Sequence, residues 1–201
     1  SVATIDFTTL TSSEYLREIY RGRGQHYVWS FVMRTVALLD RNEHSSPLSL
    51  GSESGNWPFR EDFSMYEDVV SMEEILRRFS GVSVLQSQCY GYRQTASSMT
   101  QKPSNKSADS GLRAVRDLSK YDAVGESRGK LLLEISLLFN SYKLVEWSNA
   151  SSDALRLSYK HEIESRVRQV GLAHLGFNRI GRFILLKAGL FDFVLKRRCC
   201  Q

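Results

Sequence analysis

Residues 130–147 read KLLLEISLLFNSYKLVEW, and this stretch decides the fold. Its apolar side chains, from Leu131 to Trp147, fall on nearly every side of about five helical turns. A helix that is apolar all round must be wrapped by other elements, so it predicts the centre of a helical bundle-like core.

The neighbours of that helix follow from spacing and punctuation. Downstream, Ser151-Ser152-Asp153 supplies N-cap residues for a helix over 153–170, in which Leu155, Tyr159, Ile163, Val167 and Val170 recur four and three apart. A last helix is expected over 178–188, stopped by Gly189. Upstream lie a helix over 112–120 and a turn at 125–129. Residues 27–40, YVWSFVMRTVALLD, form the second strongly apolar helical pattern and the natural partner of the central one. Thr11-Ser12-Ser13-Glu14 caps a helix over 14–21, which Gly22 and Gly24 end in left-handed caps; Ser71 and Glu74 have capping-box spacing for a helix over 71–79, closed by Gly81. Period-two alternation marks short strands near 2–8 and 82–93. The fold class is mainly α, an α+β chain with a minor β component.

The segment 95–111, TASSMTQKPSNKSADSG, is small and polar and reads as a linker. It separates an acidic α+β region, 1–94, from a basic helical region, 112–201, two parts of one continuous domain with a soft waist. Residues 41–63 read as a long loop.

With 201 residues, 42% hydrophobic, 24% charged and a mean hydropathy of −0.30, neither a disordered nor a membrane-spanning chain is expected. The longest near-apolar run, 183–195, is broken by Lys187 and Asp192 and is too short to span a bilayer. The first ten residues have neither a basic start nor a long apolar block, so no cleavable leader is expected. Three cysteines, two of them adjacent, make no disulfide framework, which predicts an intracellular, reducing location.

Net charge is +5, unevenly spread. Residues 1–112 carry 11 basic and 13 acidic side chains, 113–201 carry 16 and 9, so the halves stand at −2 and +7. Arginine outnumbers lysine 19 to 8, and its planar fork binds phosphate bidentately and stacks on bases. Both features point to RNA or another polyanion as partner. The candidate nucleic-acid-binding residues are Lys160, Arg166, Arg168, Arg179, Arg182, Lys196, Arg197 and Arg198 in the basic half. To these are added Arg21 and Arg23, interleaved with glycines and aromatics, and Tyr90, Tyr92 and Arg93, placed on a strand as in sheet-based RNA binders. Each of these also has a structural reading: arginines at a helix C-terminus, tyrosines in cross-strand packing, and a mixed-charge solvated surface.

Other motifs fall short of chemistry. Gly125-Glu-Ser-Arg-Gly129-Lys130 has three residues between its glycines where a phosphate loop has four, and Leu131 replaces the magnesium-binding hydroxyl. His161 and Glu164 share a helical face, but Ser165 stands where a zincin's second histidine would be. Cys89 has no base partner visible in sequence. No catalytic residue, metal site or cofactor is expected. The expected function is a non-enzymatic, self-associating RNA-binding protein of the small viral structural or accessory kind; the apolar surplus in the last forty positions suggests a homo-oligomer. The alternative is attachment to an anionic membrane through the basic tail, with Cys199 and Cys200 as acylation sites, and a third reading is an enzyme whose site is not visible in sequence.

Overall fold

The computed structural model describes residues 7–24, 63, 65–85, 105–147, 152–192 and 194–195. In chain order these form β1 (Phe7–Thr11), α1 (Ser12–Tyr20), α2 (Glu67–Arg78), β2 (Gly81–Leu85), α3 (Asn105–Leu118), α4 (Ser127–Trp147), α5 (Asp153–Val170), a 3-10 turn (Leu172–His174) and α6 (Phe177–Lys187). The architecture is mainly α with a two-stranded antiparallel sheet, as the sequence predicts.

The central helix occupies the predicted stretch and begins three residues earlier. It packs on α1, α3 and α5. Ile135, Leu138, Phe139, Tyr142 and Val145 are completely buried on it, so its apolar residues on several sides each meet a neighbour. From α5, Tyr159, Ile163 and Val167 fill the facing surface, and the predicted cap is present: the Ser152 hydroxyl accepts from the Leu155 amide at 3.1 Å. Phe191 and Leu195 fold back onto this cluster, where the Phe191 ring stands 5.7 Å from that of Phe139.

A second cluster joins α1, α2 and the sheet, with Leu16, Ile19, Met72 and Ile75 at its centre. Leu133 on α4 packs against both clusters and makes the core continuous. The sheet pairs Phe7 with Leu85 through to Thr11 with Gly81. Thr11 ends the strand and caps the helix at once: its hydroxyl accepts from the Glu14 amide, while the Glu14 carboxylate accepts from the Thr11 amide at 2.7 Å.

Several expectations are corrected. The first strand is described over Phe7–Thr11, reaching three residues past the expected end at 8 and carried by the β-branched Thr8-Thr9 and by Thr11, while residues 2–6 lie outside the described residues. The second is described over Gly81–Leu85; residues 86–93 lie outside the described residues, as do 27–40 and, Phe63 excepted, the loop 41–63. Helix α2 starts at Glu67, so Ser71 is a buried interior residue and no cap. The buried face set by Val69, Val70, Met72, Ile75 and Leu76 outweighs one capping-box match. Gly81 opens β2 and does not close a helix. Gly22 is left-handed (φ 76°), whereas Gly24 matters for closeness: a Cβ there would lie 2.7 Å from the Ile19 amide nitrogen. Finally, α3 runs through residues 105–111, the end of the expected linker, and Gly111 is buried in it.

Candidate nucleic-acid interface

The basic residues divide by what holds them. Arg166, on α5, is spent on the core: its Nε donates to Glu134 at 2.6 Å and an Nη to the Ser119 hydroxyl at 2.8 Å, with Glu162 at 3.8 Å. Burial pushes the Glu134 carboxyl above its ordinary pKa, and the Arg166 guanidinium opposes that shift. Lys160 pairs with Asp192 at 3.3 Å beside the Tyr142 ring, and the Tyr142 hydroxyl donates to the same carboxylate at 2.6 Å. Lys187 pairs with Glu164 at 3.0 Å. Arg168 is exposed, with its Nε 3.4 Å from the Glu164 carbonyl oxygen. Arg23 pairs with Glu18 at 2.7 Å, and Arg21 bridges Glu18 and Glu126.

Arg128, Arg179 and Arg182, like Arg168 and the exposed Arg116 of α3, have no carboxylate partner among the described residues, and of these five only Arg128 and Arg179 line a common cleft. Arg179 leaves α6 half-buried toward α4, its Nε donating to the Ser136 hydroxyl at 3.0 Å and an Nη to the Leu175 carbonyl at 3.5 Å. Burial, with Arg182 one turn on, pulls its pKa below the ordinary arginine value. Arg128 stands exposed in the first turn of α4.

Arg128 and Arg179 meet at a cleft of about 320 Å³ between the C-terminus of α1 and the start of α4, and Arg182 stands outside its lining, one turn on from Arg179. Arg21, Arg128 and Arg179 line it with Glu126, three positive charges against one negative; Ile19, Leu132 and Leu133 supply apolar wall. Arg21 and Arg179 belong to the expected set and are brought together here. Arg128 is not in that set, although a local signal marks it. Arg128, Arg179 and Arg182 have no Asp or Glu three or four positions away on either side, whereas Arg21, Arg166 and Arg168 do.

The near-miss phosphate loop is built for packing. Lys130 is buried and donates to the Tyr121 carbonyl, burial drawing its pKa down, and a Cβ on Gly129 would come 2.9 Å from the Tyr20 carbonyl oxygen. His161 is exposed, and its helical neighbour Glu164 is engaged by Lys187. Cys89, Tyr90, Tyr92, Arg93, Lys196, Arg197, Arg198, Cys199 and Cys200 lie outside the described residues. No helix of the described residues is long and apolar enough to cross a membrane. Comparison of the chain with protein-family models, with characterised proteins and with solved structures finds no match.

Proposed function

We propose that this protein binds RNA without catalysing a reaction on it, holding the phosphate backbone on the arginines around the α1–α4 cleft. The observation that carries the reading is the set Arg128, Arg179 and Arg182: three guanidinium groups without a carboxylate partner among the described residues, in a half of the chain that carries +7. Guanidinium groups engaged in ion pairs must break them to meet phosphate; these need not. Arg21 and Arg23 extend the surface along α1, at the cost of competing with Glu18 and Glu126.

The test is a titration of labelled single- and double-stranded RNA at several salt concentrations. Three phosphate contacts predict a slope of log affinity against log salt of about −2 for a single strand. Absent or salt-insensitive binding rejects the reading, and flotation with anionic vesicles by a protein that ignores RNA would transfer the basic surface to a membrane role.

Self-association belongs to the same proposal. Phe177, 96% exposed, and Ile184, 59% exposed, stand two turns apart on one face of α6. Light scattering that returns a strict monomer at all concentrations removes this clause.

A further inference from the structure

We propose that the α1–α4 cleft is a single-nucleotide subsite, in which a phosphate of single-stranded RNA lies between Arg128 and Arg179 and the attached base rests on Ile19, Leu132 and Leu133. The inference deepens the RNA-binding reading and rests on it. Three features support it.

The first is size and lining. The cleft's volume of about 320 Å³ falls at the lower end of the roughly 300–1,000 Å³ typical of small-ligand sites. It combines an apolar wall with positive groups, the division of surface that a nucleotide itself carries.

The second is preorganisation. A flexible surface arginine loses side-chain freedom when it grips an anion, but Arg179 is already held by Ser136 and Leu175. Those bonds use two of its five N–H donors, leaving three without a partner among the described residues. Half-buried beside Arg182, it sits where positive charge is disfavoured, and a bound anion would relieve that. Arg128 reaches the same cleft from another helix, so two guanidinium groups can flank one phosphate.

The third concerns selectivity. A base can lie against Leu132 and Leu133 only if it is unstacked, and a duplex would have to break pairing first. The cleft therefore favours single strands, whereas the outer arginines alone would accept either form.

The experiment uses the full chain with a short fluorescent single-stranded oligoribonucleotide, the same strand annealed to its complement, and inorganic pyrophosphate at constant ionic strength. The variants are Arg179→Gln, Leu132→Ala and Arg116→Gln. Arg116, exposed on α3 and outside the cleft, controls for the loss of one charge. Thermal melts confirm that each variant folds. Arg179→Gln is expected to weaken single-strand binding about tenfold or more, the scale of a lost charge-assisted hydrogen bond. Arg116→Gln should change it less than about twofold, a surface charge being worth little. Leu132→Ala should narrow the preference for single over double strand, and pyrophosphate should displace the RNA.

Binding that Arg179→Gln and Arg116→Gln weaken equally, with no preference for single strands, overturns the subsite and leaves the wider RNA reading standing. Wild type that ignores RNA yet binds pyrophosphate in an Arg179-dependent way overturns the RNA reading and the base contact, keeping only the anion site. Failure to bind either ligand overturns both.

Discussion

Gly111 is the residue at which helix propensity and packing disagree most sharply. Glycine inside a helix costs about 0.5–1 kcal/mol relative to alanine, so α3 taken alone would gain from Gly111→Ala. In the fold, a Cβ there would lie 1.9 Å from the Ser141 hydroxyl oxygen and 2.9 Å from that of Tyr159. Ser141 cannot retreat readily: it is completely buried, and its hydroxyl donates to the Leu137 carbonyl at 2.8 Å. Gly111→Ala is therefore expected to destabilise by about 2 kcal/mol, as overpacking does, read from the urea midpoint. Gly181 on α6 is the converse, since a Cβ there meets nothing within 4 Å. Gly181→Ala should stabilise by about 0.5–1 kcal/mol. Similar effects at the two glycines would refute the packing argument. Sequence alone could only class Gly111 as part of a polar segment, because its partners lie on two helices far along the chain.

At the level of elements, α2 shows how a buried face overrides local signals. Tyr66 precedes it with φ 67° and offers no side-chain cap, while Glu67 and Asp68 place negative charge on its first turn, where the helix dipole favours it. Asp68 also accepts from the Val69 amide at 2.9 Å. Burial, reinforced by Glu67, nevertheless pushes its carboxyl from 3.8 to about 6. The folded state thus holds this proton more tightly than the unfolded state does. Ionisation costs stability, fully above about pH 6 and not at all below 3.8. Asp68→Asn keeps the acceptor and removes the titration. It should raise the melting temperature at neutral pH, with the advantage fading as pH falls from about 6 toward 3.8. A gain that is constant with pH would count against the burial account. The central helix was legible from its unbroken apolar text, and α5 from its spacing and cap; the start of α2 was not, since the match at Ser71 and Glu74 imitates a beginning.

Across the whole molecule, a buried polar network ties the α1–α2 cluster to the turn before α4. The Glu73 side chain is 3% exposed and accepts from the Tyr20 hydroxyl at 2.6 Å and from Arg77 at 2.7 Å. Arg77 also donates to the Asp122 carbonyl and lies 5.2 Å from the centroid of the Tyr121 ring, so one guanidinium ties α2 to the turn leading into α4. Arg77→Met strands the carboxylate and should cost about 3 kcal/mol; Glu73→Leu added to it should recover part of that. Chemical denaturation of the single and double variants measures both, and an unchanged Arg77→Met sinks the proposed role. The cleft lies along this junction, where Tyr20, Leu133 and Gly129 position its walls.

The sequence by itself determined the mainly helical class, the central helix, the capping segments Thr11–Glu14 and Ser151–Asp153 and the existence of a basic half, because periodicity, capping and charge are properties of neighbours in the chain; the structure selected Thr11 and Ser152 as the caps. The sequence also carried a partial key to the interface: an arginine with no carboxylate one helical turn away has no local way to be neutralised. Only the tertiary structure decided which basic groups remain available. Arg166 is taken by Glu134 and Lys160 by Asp192, across helices, while Arg128 and Arg179 converge on one cleft. Ion pairing and burial depend on distances between residues far apart in sequence, and only packing fixes those distances.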